Sequence, residues 1–348
     1  MPDELTTRHV GRSGVVVTEL GFGGGPLGGL PDRPVDEQGA EATLAAAWAA
    51  GIRYFDTAPW YGLGMSEHRV GRFLRSKVGT AFTISTKVGR LLQRPAPGKS
   101  PAPTFWSSAL PFNWHFDYRH DAILRSYEDS LQRLGLPRVD IVFVHDLEPA
   151  AHGGSEGFAA RLAELGAGRG FAALESLRRA REIGAIGVGV NDAAAALTLV
   201  ERFDVDAVLI AGRYTLLEQG ALEALLPACT EREIGVVIGS VFNSGILAGA
   251  GLETNTYEGE PAAQAIVERV GRLQRVCAQH GVALGAAALR FPLAHPAVCS
   301  VIPGAAHPSE VDDNARRFVS PIPPALWEEL RSAGLIATAA PTPADAAA

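Results

Sequence analysis

Apolar and polar residues fall in alternating blocks along this chain. Short apolar runs stand at 20–23, 52–55, 82–86, 140–144, 186–190, 207–211, 236–239 and 298–302. Between them lie stretches of helical periodicity at 36–50, 66–76, 120–134, 171–183, 193–202, 217–232, 262–280 and 308–318. Most of the apolar runs show no inside–outside alternation, which is the pattern of strands covered on both faces, as in a parallel sheet. Gly51, Gly135, Gly184 and Gly235 each stand just past a helical stretch, where a left-handed C-cap favours glycine. Ser66, followed by Arg69 and Val70, reads as the start of another helix. Eight strand–helix repeats predict an α/β fold, a (β/α)8 TIM barrel rather than an open doubly wound sheet.

Three segments lie outside the repeat. Residues 8–18 look like a β-hairpin with a Ser-Gly turn that could plug the barrel floor. Residues 90–118 form a long insertion after the third run, rich in proline and in aromatics: Phe105, Trp106, Phe112, Trp114, His115 and Phe116. A long loop in a compact domain is usually functional. It either packs on its own aromatics or forms a substrate lid. The stretch 1–335 reads as a single domain, and the Ala/Pro-rich tail 336–348 as disordered.

Composition narrows the function. The 348 residues are 47% hydrophobic with a formal net charge of −7, enough to bury a large core. The local cluster Arg178, Arg179 and Arg181 reads as a solvated helix face, so no basic stripe offers a phosphate-backbone footprint. Nucleic-acid partners are therefore not expected. Cys229, Cys277 and Cys299 are scattered and odd in number, with neither a disulfide framework nor metal spacing. The stretch MPDELTTRHV lacks an apolar leader core, and no 18-residue apolar span occurs. A soluble, reduced, cytoplasmic protein without a membrane partner is expected, acting on a small molecule.

Barrel enzymes carry their chemistry where strands end, at the C-terminal rim. The second run finishes on Asp56, the third on Lys87 and the fourth on His145, and Tyr61 follows the second. Taken singly, such residues usually have ordinary roles as helix caps, solvated charges or hydrogen-bonded core groups. Three ionisable groups on neighbouring strands of one rim point to a site. The set suits proton transfer at an alcohol or carbonyl. A phenol has an ordinary pKa of about 10, and an adjacent ammonium lowers it. Asp56 would keep Lys87 in place and charged, and His145 would hydrogen-bond the substrate oxygen. A Schiff-base role for Lys87 explains Tyr61 and Asp56 less well.

The pattern Asp56-x4-Tyr61, Lys87, and His145 within VFVHD resembles the catalytic tetrad of the aldo-keto reductases. The stretch FDTAPWYGLGMSEHRVGRFL is similar to that family's second-strand signature, and the likeness runs over roughly residues 8–335. The segments FDYRHDAILRSYEDSLQRLGLPRVDIVFVHD, AGRYTLLEQ, NSGIL and FPLAHPAV resemble the aldose 1-dehydrogenase branch more narrowly. That branch includes D-threo-aldose and L-fucose dehydrogenases, with pyridoxal 4-dehydrogenase and L-galactose dehydrogenase as relatives. The resemblance implies hydride transfer with a nicotinamide cofactor, the tyrosine handling the proton. It implies oxidation of the anomeric hydroxyl of a free aldose of the L-fucose, D-arabinose or L-galactose type. Pyridoxal oxidation, general aldehyde or ketone reduction, and a cofactor-sensing binding subunit are the alternatives. Trp60, with Trp114 and His115 of the insertion, would face the substrate.

The same resemblance places the cofactor across the barrel mouth without a Rossmann fold. The run GFGGGPLGG (21–29), with Gly24 at its centre, would let the cofactor come close because glycine has no Cβ. Asn191 and Asp192 would hold the nicotinamide carboxamide, with Asp192 standing where the family more often has asparagine. Ser240 to Ser244 would follow the pyrophosphate, and Gly304, Ala305, His307, Glu310 and Asn314 the adenosine end. Gly304 and Glu310 occupy positions where NADPH-preferring members often carry lysine and arginine. A 2′-phosphate calls for cations, so NAD is expected over NADP.

Overall fold

A computed structural model describes residues 5–31, 33–248 and 256–345. The chain opens with an antiparallel hairpin, β1 (Thr7–His9) on β2 (Val16–Thr18). The repeats then begin with β3 (Phe22–Gly23), α1 (Glu37–Ala49), β4 (Tyr54–Asp56), α2 (Met65–Arg75) and β5 (Thr83–Val88). A second antiparallel pair, β6 (Arg90–Gln93) and β7 (Asn113–Phe116), precedes α3 (His120–Leu134). Next come β8 (Ile141–His145), α4 (Ser155–Leu165), α5 (Gly170–Arg179), β9 (Ala185–Val190), α6 (Ala193–Arg202), β10 (Ala207–Ala211), α7 (Leu225–Glu231) and β11 (Gly235–Gly239). A short pair, β12 (Thr256–Tyr257) and β13 (Glu260–Pro261), leads to α8 (Gln264–Gln279), α9 (Leu284–Arg290), β14 (Val298–Val301), α10 (Pro308–Phe318) and α11 (Pro324–Ser332).

All eight apolar runs contribute strands to one sheet, in the spatial order β3, β4, β5, β8, β9, β10, β11, β14. Every pairing in it is parallel. Parallel bridges from Leu20 to Val301 and from Gly23 to Gly304 join its two edges, so the sheet closes into a (β/α)8 barrel. Closure removes the edge strands that an open sheet would expose.

Side-chain alternation sorts each strand into two cores. Phe55, Ile84, Val142, Val144 and Ile186 point outward into the layer under the helices. Tyr54, Ile141, Phe143, Leu209 and Val237 point inward and fill the barrel. The same period of two carries Asp56 inward with Tyr54, Lys87 inward with Ser85, and His145 inward with Phe143. The upper layer of an apolar barrel interior is thus ionisable.

The floor explains two of the glycines. Gly51 and Gly135 hold positive φ after their helices, as expected of C-caps. Gly184 and Gly235 do not. A Cβ on Gly235 would meet the Gly11 nitrogen at 2.5 Å, and one on Gly184 would meet Val15 Cγ2 at 2.6 Å. Both are glycine because the hairpin loop presses on the barrel floor there. Arg178 is not a purely solvated charge either: it pairs with Asp204 at 2.8 Å and Asp206 at 2.7 Å.

Other expectations need correction. Ser66 stands in the first turn of α2, which begins at Met65, and its hydroxyl does not cap the helix but donates to the Gly24 carbonyl at 2.7 Å. Helices α4, α9 and α11 were not foreseen. The stretch 217–232 divides into a 3-10 turn, Gly220–Leu222, and α7. The tail is ordered as far as it is described: Leu335, Ile336, Ala340 and Thr342 are buried, and Arg331 of α11 donates to the Ala340 carbonyl at 3.2 Å. Residues 346–348 lie outside the described residues. The insertion is tied down by its hairpin and by Leu110 N–H to the Gly62 carbonyl at 3.0 Å.

Candidate active site at the barrel mouth

Strand ends deliver three buried ionisable groups to one spot. Asp56 is 2% exposed, Lys87 1% and His145 5%. The Lys87 ammonium donates to Asp56 Oδ2 at 2.7 Å and to the Thr57 carbonyl at 2.9 Å. The half-buried Tyr61 lies over them, with Lys87 Nζ 4.8 Å from its ring centroid. The Tyr61 ring stands edge-on to His145, centroids 6.0 Å apart, and touches Trp106 on another side at 5.9 Å. The loop that carries Tyr61 turns through Gly62 and Gly64 at positive φ, with Leu63 between them also left-handed. A strained non-glycine of this kind persists only where its surroundings hold it.

Burial and charge oppose each other throughout the set. Burial pushes the Asp56 carboxyl up, against Lys87 and the Ser85 hydroxyl, which favour the anion. Burial would also strip Lys87 of its proton. Asp56 and Tyr61 overcome that and raise its pKa, so it stays an ammonium. Lys87 pulls the Tyr61 phenol down as expected, yet burial pushes it further up, and its net position is above the ordinary value. His145 is lowered to about 3, chiefly by burial, so its imidazole is neutral at physiological pH. Its Nδ1 is buried with no hydrogen-bond partner, and its Nε2 lies 3.5 Å from Asp146 Oδ1. A neutral imidazole can both donate and accept, as a group that orients an alcohol or carbonyl must.

Around this group stands an aromatic wall. Trp60 packs edge-on against Trp114 at 5.0 Å, Trp106 at 6.0 Å and Phe105 at 5.9 Å. Arg90 lies among Trp60, Trp114 and Phe116 at 4.2, 4.6 and 4.4 Å, and its far end bonds Asp146 Oδ2 at 2.5 Å. The insertion therefore packs on its own aromatics and on the wall of the mouth together. Strand alternation in β7 separates His115 from Trp114 and Phe116: it is exposed on the other face, away from the wall.

A sequence profile of the aldo/keto reductase family matches residues 19–334. This chain belongs to the aldo/keto reductase family. It is 42% identical over 337 residues to a pyridoxal 4-dehydrogenase of Microbacterium luteolum, covering 94% of this chain and 97% of that one. It is 40% identical over 331 residues to a D-threo-aldose 1-dehydrogenase of a Pseudomonas species, with the same coverage of both chains. Among solved structures, the holo form of an aldo-keto reductase of Bacillus halodurans superposes with a TM-score of 0.74 at 22% identity. That match covers 98% of this chain and 100% of the other and supports the fold. The protein is an NAD(P)-dependent oxidoreductase.

An aldo-keto reductase has to receive a nicotinamide cofactor, and the mouth of this one has a fitting surface. Gly24 donates to the Asp56 carbonyl at 2.7 Å, and a Cβ there would meet that oxygen at 2.6 Å. A Cβ on Gly304 would meet Pro26 at 2.8 Å, so each of these two glycines permits a close approach that a side chain would block. After β11, Ser240 and Ser244 are exposed and Asn243 is buried, and all three hold positive φ. Three left-handed non-glycines in one short loop, two presenting hydroxyls to solvent, suit contact with a polar ligand.

The remaining expected cofactor residues are placed less uniformly. Asn191 is exposed at the end of β9, and both its amide nitrogens are held by the buried Glu148, at 2.6 and 2.8 Å. Asp192 follows Asn191 as the N-cap of α6. Its carboxylate caps α6, accepting from Ala194 and Ala195 at 2.8 and 3.0 Å. Ala305 is buried just before α10, Asn314 is buried within it, and His307 is its exposed N-cap. Glu310 closes the capping box by accepting from the Ala306 and His307 amides at 2.7 and 3.3 Å, and its other oxygen pairs with Arg33.

Sequence reasoning missed Ser85, Tyr54, Arg90, Asp146, Glu148 and the placing of Trp106. Two of these had a signal. Ser85 precedes Lys87 by two and Tyr54 precedes Asp56 by two, so alternation already puts each on its partner's face. The other four come from tertiary packing, which no local pattern encodes.

Proposed function

We propose that this protein oxidises the anomeric hydroxyl of a free aldose to the lactone, with NAD as hydride acceptor. The observation that carries it is a phenol, Tyr61, set over a buried Lys87–Asp56 ion pair and beside a neutral His145. When bound, the nicotinamide takes up or supplies a hydride at the substrate carbon. His145 holds the substrate oxygen. Tyr61 removes the hydroxyl proton in oxidation and returns it in reduction, and the Lys87 charge favours the phenolate that oxidation needs. The similarity to a D-threo-aldose 1-dehydrogenase supports a sugar substrate of the L-fucose, D-arabinose or L-galactose type.

Pyridoxal is the second reading. The pyridoxal 4-dehydrogenase relative favours it, and so does the aromatic wall, which offers a flat face to a pyridine ring. A panel of L-fucose, D-arabinose, L-galactose and pyridoxal, followed by NADH absorbance, separates the two. The proposal expects the highest kcat/KM on a sugar. A tenfold advantage for pyridoxal overturns it, and no turnover with any of them favours a binding subunit.

We further propose NAD over NADP. A 2′-phosphate would need Arg33, and Arg33 is already paired with Glu310 at the start of α10. Taking it away would leave the Glu310 carboxylate beside the phosphate. Glu310→Gln should improve NADP relative to NAD by about tenfold, the scale of one charge-assisted hydrogen bond. A wild-type enzyme that binds NADP ten times tighter than NAD contradicts the proposal.

A further inference from the structure

The carboxylate that holds Lys87 is itself held from inside the barrel. Asp56 Oδ2 takes the Lys87 ammonium, and Asp56 Oδ1 accepts the Ser85 hydroxyl at 2.7 Å. Ser85 Oγ in turn lies 3.1 Å from the Tyr54 hydroxyl. Ser85 and Tyr54 are fully buried, one layer below the tetrad. An ionised carboxylate only accepts, so the Ser85 proton points at Asp56 and its oxygen is left to accept from Tyr54. Burial holds the Tyr54 phenol well above its ordinary pKa, so it keeps the proton that it donates. Both donors point toward the ion pair. Among the described residues the Tyr54 hydroxyl makes no hydrogen bond besides that to Ser85, and it packs with Ile141, Phe143, Val237 and Cys299, so the chain ends there.

We infer that Ser85 and Tyr54 are positioning residues for the redox reaction: a buried donor chain that keeps Asp56 ionised and aimed at Lys87. This rests on the reading of Tyr61 as the proton carrier, because the charge on Lys87 matters to the reaction through that phenol. The charged and titratable groups facing the set are few. Asp56 faces Lys87, Tyr61 and Tyr54; Tyr61 faces Lys87, Asp56, Tyr54 and Asp146; Tyr54 also faces Cys299; His145 faces Asp146, Lys87 and Arg90. Among these the one hydrogen bond that favours the Asp56 anion and does not come from Lys87 comes from Ser85. Hydrogen bonds in series polarise one another, so Tyr54 strengthens the Ser85 bond.

The sign follows from which states lose a bond. Removing Ser85 weakens only states in which Asp56 is ionised. Asp56, Lys87 and Tyr61 titrate as a coupled set, and the step in which Asp56 takes up its proton moves to higher pH. The acid limb of the pH–activity profile therefore moves to higher pH.

The test is Ser85→Ala, followed by the infrared band of the protonated Asp56 carboxyl, assigned by its loss in Asp56→Asn. Its titration midpoint should rise by about one pH unit. The acid limb of kcat should move by the same amount, with turnover recovering toward wild type as pH rises and cofactor affinity unchanged. Ser85→Thr, which keeps the hydroxyl, should restore the profile, and Tyr54→Phe should give a smaller shift in the same direction. A lower Tm with an unmoved midpoint and profile would overturn the inference. If Ser85→Ala does not fold, Tyr54→Phe decides alone, and an unmoved midpoint there overturns it. The infrared midpoint needs no turnover, so it stands even if Tyr61→Phe shows that the phenol is not the proton carrier.

Discussion

The floor and the mouth of this barrel are the two ends of the same eight strands, and they use charge in opposite ways. At the floor, the carboxylates, including the buried Glu19 and Asp206, are answered by arginines that reach water. Arg8 pairs with Glu19, Arg178 with Asp204 and Asp206, and Arg12 with Asp204. The close contacts there run through Gly11 and Gly235, backbone against backbone, and through Gly184 against the Val15 side chain. At the mouth, Asp56, Lys87 and His145 are taken out of water almost completely. Polar atoms are also left without partners: Arg90 Nε, Trp106 Nε1 and His145 Nδ1. The floor is arranged for packing, and the mouth holds groups in states that water would not favour. In barrels generally, chemistry belongs at the C-terminal rim and stability at the other face.

Substitutions can break this contrast. The largest effect is expected from Lys87→Met. It removes the ammonium near Tyr61, and turnover should fall about a thousandfold, within the range for acid–base groups. It also strands Asp56 as a buried, unpaired carboxylate, which costs about 3–5 kcal/mol of stability near neutral pH. That cost should shrink as the pH falls and Asp56 is protonated. Denaturant unfolding at two pH values checks it, and a cost that grows toward acid would contradict the ion pair.

Gly235→Ala is the mirror case. Its new Cβ would lie 2.5 Å from the Gly11 nitrogen, so the hairpin has to shift. Overpacking of this kind costs about 1–3 kcal/mol, and kcat measured well below the Tm should not change. A large loss of kcat would show that floor and mouth are not separable. Arg12→Ala should matter least. Its partner Asp204 is more than half exposed, and such pairs contribute about 0–1 kcal/mol. A destabilisation above about 2 kcal/mol, twice that range, would mean that the hairpin is held by charge rather than by packing.

Most of the barrel was legible because its signal is local. Each strand is a short apolar run, and each ends where a polar residue, a glycine or, after 298–302, a proline interrupts it. Helices α4, α9 and α11 escaped because α9 is apolar all round, while α4 and α11 lie outside the strand–helix alternation. The meeting of Asp56, Lys87 and His145 was legible for a related reason: each stands at a strand end on one rim. The capping role of Asp192 was not read from the sequence, because an Asp ahead of a helix can serve as a ligand contact, as a cap or as both. The tail was misjudged from composition, since Ala and Pro also pack when a helix such as α11 lies beneath them. The net rise of the Tyr61 pKa could not be read from residue types, because it depends on how deeply the ring is buried.

The central claim is that Tyr61 moves the proton while its neighbours hold the charge that makes this possible. Tyr61→Phe keeps the ring between His145 and Trp106 and removes only the hydroxyl. Measured with the best sugar of the panel, kcat should fall by about 10²–10⁴, while the Kd for NADH, from fluorescence titration, should stay within about twofold. A variant with near-normal kcat would contradict the account.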